Sequence, residues 1–402
     1  MTRRGDATPA SARSGRRLPS PCFVVDEDAL AANLAVLDGV RQRSGARILL
    51  ALKAFAAFSV FPLLRRSLDG VCASSPHEAR LGREEFSAPD AVREVHVYAA
   101  AYSERDIREI AATADHIVFN SLTQLERLGS LARNVAAKKG RSVEFALRLN
   151  PEHSEGTIPL YDPCAPGSRL GVRQKDLQGV HPLRLRELGV SGLHFHTLCE
   201  QDAAPLARTL ATVEEKFGEY LPYMRTLNFG GGHHITRPGY DVDLLCRCIG
   251  RIAARYGLQV YLEPGEAVAL NAGTLHSTVL DIVHADMPVA VLDSSAAAHM
   301  PDILEMPYRP DVAGAGRPYE KAWTCRLAGK SCLAGDVMGE YSFDTPLQPG
   351  DTVVFLDMAH YTMVKTNTFN GLALPGIALA QRGGGLRPVR SFGYRDFKRR
   401  LS

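Results

Sequence analysis

The sequence predicts an α/β protein in which a closed parallel (β/α)8 barrel is followed by a second, mostly antiparallel β domain. Three observations carry this reading. Between residues 28 and 273, eight short apolar runs alternate with segments of helical periodicity, as parallel strands and their crossover helices do. The polar residues that close those runs fall on a single rim. After Gly273 the long helical segments disappear and turn residues punctuate strand-like runs, as in Gln348-Pro349-Gly350-Asp351.

Taken in order, residues 1–17 are rich in Arg, Ser, Ala and Gly with Asp6 as the sole acid. They hold no apolar segment of a secretory signal and are read as a disordered basic extension; an organelle-import peptide is compatible with the same composition. Residues 18–27 contain the run Cys22 to Val25, expected to pair into the β domain. The barrel, 28–273, has strand candidates at Arg47 to Lys53, Gly70 to Ala73, Val95 to Ala99, His116 to Phe119, Val143 to Leu149, Ser191 to Phe195, Thr226 to Phe229 and Gln259 to Glu263. Helix starts are written between them: Ser75-Pro76-His77-Glu78 is a capping box with proline at the first helical position, and Ser103 precedes Glu104 and Asp106. Later helices are expected over Ala204 to Tyr220 and Val242 to Tyr256. An open doubly wound sheet is the structural alternative. The C-terminal β domain, 274–402, has strand candidates at Leu275 to Val283, Pro288 to Leu292, Ala322 to Leu327, Thr352 to Asp357 and Pro388 to Phe392.

Composition narrows the function classes. With 402 residues, 45% apolar and 23% charged, the chain has room for two domains and lacks any stretch of the roughly 20 apolar residues that spans a membrane. The net charge of +3 is dispersed, its densest clusters being Arg3-Arg4, Arg16-Arg17 and Lys398-Arg399-Arg400 at the ends, which argues against a nucleic-acid partner. Eight scattered cysteines without an export signal suit reduced thiols and a cytoplasmic location. Cys246-Arg247-Cys248 has no second pair nearby, so no zinc site is expected.

Function in a parallel barrel gathers where strands end. Lys53 closes an apolar run and is followed by small and aromatic residues; a desolvated lysine there can act as an amine nucleophile or hold a carbonyl cofactor as an imine. The other ends offer Arg148 and Asn150, His194-Phe195-His196, Gly230-Gly231-Gly232 and Glu263-Pro264-Gly265. Glycines after a strand can present bare N–H groups to a phosphate, or merely turn the chain. Glu263, at the end of an apolar strand, needs a partner that supplies a proton or a charge, an arginine being the plain candidate. His194 and His196 share a face, a metal-ligand spacing that makes a barrel metal-dependent hydrolase the rival enzyme; the other ends supply too few ligands, and a flat imidazole can lie against a cofactor ring instead. Amine, phosphate cradle, carboxylate and stacking ring together are what pyridoxal 5'-phosphate requires.

With those residues in place the chain resembles the barrel-type (fold type III, TIM-barrel) pyridoxal phosphate decarboxylases, the group of ornithine and diaminopimelate decarboxylases with alanine racemase as a relative, from Leu18 to the C-terminus. Within that group the stretches Gly70 to Arg80, His194 to Glu200 and Ser331 to Asp336 resemble the carboxynorspermidine (carboxyspermidine) decarboxylases. The resemblance implies Lys53 as the imine-forming lysine, His196 as the ring-stacking residue and Glu263 as the pyridine partner. It implies Gly230, Gly231 and Gly232 as the phosphate loop with Tyr361 as a further phosphate ligand, and Arg148 near the phenolic oxygen. It further implies a homodimer with shared sites in which Cys332 of the partner chain reprotonates the α carbon, with Asp336 and Glu305 binding substrate amines. Two positions depart: Glu266 stands where many relatives carry an arginine near the phosphate, and Leu333 follows the cysteine where ornithine enzymes have an aspartate.

The expected function is decarboxylation of carboxynorspermidine or carboxyspermidine to norspermidine or spermidine in polyamine biosynthesis. The alternatives are a decarboxylase of a simpler diamino acid, namely ornithine, lysine or diaminopimelate, and a non-catalytic cofactor-binding homologue.

Overall fold

A computed structural model of the chain describes residues 18–88, 91–156 and 159–402. The expected disordered extension over 1–17 lies outside them. The chain divides into two compact units, one of Asn33–Val268 and one that joins the N-terminal stretch up to Ala32 to Ala269–Ser402.

Chain order begins with β1 (Cys22–Asp26), which belongs to the second unit. The barrel unit is built on β2 (Arg47–Ala51), β3 (Gly70–Ala73), β4 (Glu94–Tyr98), β5 (His116–Phe119), β6 (Glu144–Arg148), β7 (Val190–His194), β8 (Thr226–Asn228) and β9 (Gln259–Leu262). They pair in sequence, all parallel, and β9 closes on β2 through Arg47 opposite Tyr261 and Ile48 opposite Leu262. Closure removes both sheet edges and excludes the open doubly wound alternative. Polar caps start the connecting helices. Ser103 and Asp106 exchange hydrogen bonds in a full capping box, and Asp241 caps the helix Val242–Tyr256, which Gly257 ends at φ 68°. At the other predicted box, Ser75 Oγ accepts from Glu78 N as expected, but the Glu78 carboxylate turns to Ser74 N at 2.6 Å.

The barrel interior is polar where aliphatic layers are usual. Contacts between strands that are not neighbours must cross that interior, and several are made by hydrophilic side chains: Arg47 of β2 pairs with Glu94 of β4, Tyr261 of β9 donates to Glu94 at 2.9 Å, and His96 lies 4.8 Å from the Tyr261 ring. His96 also stacks on His116 at 4.0 Å. Glycines keep neighbouring strands close: a Cβ on Gly70 would sit 2.2 Å from Glu94 O, and one on Gly192 2.1 Å from Thr226 Oγ1. The apolar core lies outside the strands, where Phe119, Phe145, Phe195 and Phe229 are fully buried.

The second unit contains β10 (Gly273–His284), β11 (Pro288–Leu292), β12 (Trp323–Gly329), β13 (Val337–Phe343), β14 (Thr352–Leu356), β15 (Gly376–Ala380) and β16 (Leu386–Arg390). The sheet order is β13-β12-β11-β10-β1-β15-β16, with β14 also on β10. β1 is parallel to β15, and β11 to β12; the other pairs are antiparallel. Its core gathers Phe23, Leu275, Leu292, Leu327, Tyr341 and Phe355; truncating a ring such as Phe355 to Ala costs about 3–5 kcal/mol. No helix among the described residues is long and apolar enough to cross a membrane.

Candidate active site

Strand β2 stops at Ala51, two residues before the position expected for its end. Ala51 N bonds to Pro264 O and Leu52 N to Cys72 O, and Ala54 N and Phe55 N both turn back onto Ala51 O. Lys53 therefore sits exposed in a turn at the barrel mouth rather than desolvated on a strand. Gly265 makes that turn possible, since a Cβ there would approach Ala54 Cβ to 2.6 Å. The Lys53 charge acts on Cys72, Glu78 and His196, which places the amine among the groups of the rim.

Glu263 follows β9 and is 8% exposed. Its Oε2 lies 3.2 Å from His194 Nε2 and its Oε1 accepts from Asn228 Nδ2 at 2.7 Å. Burial alone would raise this carboxyl; His194, then His96 and Asn228, outweigh it and bring it down to about 2. The Cys72 thiol, first through burial and then through the Glu263 charge, is held protonated. No lysine or arginine pairs with Glu263 among the described residues, so the anticipated arginine partner is absent and the anion is held by His194, Asn228 and Cys72.

Arg148, at the end of β6, is the opposite case. It is 4% exposed, and its guanidinium lies 4.4 Å from the centroid of the Tyr98 ring, donates to His196 O at 3.1 Å and leaves Nε without a partner. Among the described residues it pairs with no carboxylate. His196 accepts from Gly231 N at Nδ1, 2.8 Å, and burial followed by the Lys53 and Arg148 charges holds its ring neutral. Its flat face is therefore an uncharged platform.

The glycine loop departs from expectation. Gly230 N donates to Asn228 Oδ1 and Gly231 N to His196 Nδ1, so two of the three N–H groups are engaged inside the protein. These residues are glycines because backbone crowds them: a Cβ would lie 2.4 Å from Phe195 O at Gly230, 2.4 Å from Glu263 O at Gly231 and 1.9 Å from Leu198 O at Gly232. Gly230 and Gly232 also take φ of 69° and 82°. Beyond them His234 Nε2 lies 3.2 Å from Glu266 Oε2, so Glu266 is drawn to a buried imidazole.

The remaining expected site residues lie in the other unit. Cys332 and Leu333 are exposed, with Cys332 N bonded to Asn370 Oδ1. Asp336 is 2% exposed; its Oδ1 accepts from Ala296 N and Ala297 N and its Oδ2 from Ser331 N, so the carboxylate organises the Cys332 loop, which corrects the expectation that it is open to a substrate amine. Glu305 shares Lys365 with Asp302. Tyr361 occupies φ 47°, ψ −51°, the centre of a γ-turn in which Thr362 N donates to His360 O. An aromatic residue there is strained, and strain of this kind is kept where a side chain must be aimed.

The barrel rim thus joins an accessible amine, a buried cation without a carboxylate partner among the described residues, a buried carboxylate held ionised by His194 and Asn228, a neutral ring and a tight glycine loop. These fit pyridoxal phosphate, which has an aldehyde, an anionic phenolic oxygen, a protonated ring nitrogen and a phosphate. His194, Asn228, Tyr98 and Cys72 were not singled out from the sequence as partners. Their signal was the strand period of two, which puts Asn228 on the face of Gly230, Tyr98 on the face of His96 and Cys72 on the face of Ser74.

Residues 22–359 match the family model described as "Pyridoxal-dependent decarboxylase, C-terminal sheet domain". The chain is 47% identical to carboxyaminopropylagmatine decarboxylase of a Synechocystis strain, over 96% of both chains. It is 41% identical to carboxynorspermidine/carboxyspermidine decarboxylase of Campylobacter jejuni, over 96% of this chain and 99% of that one. Among solved structures, carboxynorspermidine decarboxylase from Campylobacter jejuni, complexed with norspermidine, matches with a TM-score of 0.85 and 40% identity, covering 95% of this chain and 100% of the other.

Proposed function

The chain belongs to the pyridoxal-dependent decarboxylases, and from that membership we propose that it removes the α-carboxylate of carboxynorspermidine or carboxyspermidine, leaving norspermidine or spermidine. The observation that supports the cofactor reading is a pair of buried charged groups on one barrel rim, Arg148 with no carboxylate partner among the described residues and Glu263 held as an anion by polar neighbours with no lysine or arginine. A buried guanidinium left alone costs several kcal/mol, so Arg148 calls for an anion, and the ionised Glu263 is ready to meet a cation.

When bound, pyridoxal phosphate supplies an electron sink for the pair released as carbon dioxide leaves. Lys53 provides the amine that holds its carbonyl. Glu263 would keep a proton on the ring nitrogen, Arg148 would supply a positive charge for the phenolic oxygen, and the neutral His196 ring would offer an uncharged surface without competing for the proton. Gly232 and Tyr361 receive the phosphate. Cys332, contributed across a homodimer, delivers the proton to the α carbon; Asp336 holds that loop in shape, and Glu305 meets the distal cation of the substrate. Cytoplasmic polyamine biosynthesis is the setting this chemistry fits.

A second reading has its own observation. The relative named for carboxyaminopropylagmatine shares 47% of residues, and an agmatine moiety ends in a guanidinium instead of an amine. Purified protein offered carboxynorspermidine, carboxyspermidine, carboxyaminopropylagmatine, ornithine, lysine and diaminopimelate, with carbon dioxide and product amines measured, separates the readings. Turnover of either carboxylated polyamine ahead of the others is expected. Preference for the guanidino substrate establishes the second reading, and turnover of the simple diamino acids alone overturns both.

A further inference from the structure

His194 is the first histidine of the His194-Phe195-His196 stretch, and the reaction as described does not use it. It is 1% exposed. Its Nε2 is 3.2 Å from Glu263 Oε2, its ring stacks with Tyr98 at 5.6 Å, and its Nδ1 has no partner. An ionised carboxylate only accepts, so Nε2 carries the hydrogen. A doubly protonated ring would also bury an unsatisfied Nδ1–H, whereas the neutral tautomer leaves only a lone pair there, the smaller cost. Burial, the first cause, and the nearby Arg148 charge also favour the neutral ring against the pull of Glu263.

Tyr98 explains why the ring stays in place. Its own ring contacts both the His194 imidazole, 5.6 Å away, and the Arg148 guanidinium, 4.4 Å away, and its hydroxyl donates to Asn120 Oδ1 at 2.7 Å. One stack therefore braces the side chains on which both buried charges depend.

We propose that His194 is a positioning residue of the decarboxylase. Its Nε2–H fixes one oxygen of Glu263 while Asn228 fixes the other, so the carboxylate neither rotates nor takes up a proton, and it meets the cofactor's ring nitrogen as an anion. The inference rests on the cofactor reading above.

The test compares the affinity of cofactor-stripped full-length protein for pyridoxal phosphate and for 1-deazapyridoxal phosphate, which lacks the ring nitrogen, by absorbance titration. Wild type is expected to prefer the natural cofactor. His194→Leu should lose about 10- to 100-fold of its affinity for pyridoxal phosphate, the value of a hydrogen bond to a charged group, with no matching loss for the deaza analogue. His194→Gln, whose amide reaches the same oxygen, should recover most of the preference. If Leu unfolds the barrel, His194→Asn, whose amide is too short, is read in its place. An unchanged preference in the Leu or Asn variant, or equal loss for both ligands, overturns the inference while leaving the cofactor reading intact. Wild type that binds both ligands equally, or neither, overturns the pairing of Glu263 with a ring nitrogen and the inference with it.

Discussion

The barrel unit and the sheet unit treat their charged groups in opposite ways. On the barrel rim, Glu263 and Arg148 are almost fully buried and are held by His194, Asn228 and Tyr98 on other strands of the barrel. In the sheet unit, Cys332 and Leu333 are exposed on a loop, and Glu305 shares a half-exposed lysine with Asp302. The difference divides labour. On the proposed roles, the groups that would face the cofactor's ring lie at strand ends with locked partners, and Glu305, proposed to meet the distal end of the substrate, closes a short helix and is exposed, where change is tolerated.

If that division holds, the largest effects come from the rim. Glu263→Gln should lower decarboxylation about 10²- to 10³-fold, as expected when one member of a buried charge pair is truncated. The same variant tests the charge in the cofactor-free protein. Folding leaves Glu263 more acidic than the ordinary value of 4.5, so its ionised form favours the folded state above that pH and the contribution fades as pH falls towards about 2. Acid unfolding followed by circular dichroism should show a shallower loss of stability across that window in Glu263→Gln.

The next effect concerns the loop. Cys332→Ala should lower activity about 10²-fold, and unfolding and refolding it together with an inactive Lys53→Ala chain should return up to about a quarter of wild-type activity, the yield of mixed dimers with one intact site. No recovery would place Cys332 and Lys53 of the same chain in one site. Asp336→Asn should cost about 1–3 kcal/mol of stability in thermal denaturation, because it turns an acceptor of three backbone N–H groups into a partial donor. Cofactor affinity should not change. The smallest effect is assigned to Glu305→Gln, where an exposed pair with Lys365 limits any rise in KM to about fivefold with kcat unaltered. A larger change there than at Glu263 would break the comparison.

How far the sequence could be read follows the same line. β3, β5 and β11 fall where their apolar runs put them, because Gly, Pro and polar residues bound those runs closely. β13 and β15 were missed: Gly339, at φ 142°, interrupts the first, and the second is five residues between Pro375 and Gln381 with no alternation to mark it. The placement of Lys53 and Glu263 just beyond β2 and β9 was legible from the run ends, although Lys53 stands exposed in a turn. Their surroundings were not, since an arginine partner for Glu263 was reasonable until His194 and Asn228 occupied its oxygens, and free N–H groups at Gly230 and Gly231 until their own neighbours took them. Adjacency in sequence carries period and punctuation; it does not carry which polar group across a barrel arrives first.

β1 is the first in chain order of the described strands and sits in the interior of its sheet, between Gly273–His276 of β10 and β15. During synthesis Cys-Phe-Val-Val-Asp, four of its five residues destined for burial, is unpaired while about 250 further residues are made and paired on one side only for about 100 more. The barrel residues Asn33–Val268 are complete well before that strand finds its second neighbour. Newly made protein thus passes through a stage with a finished barrel and an open β-edge, the form most exposed to aggregation and to chaperones. Premature termination before Gly376 leaves it there.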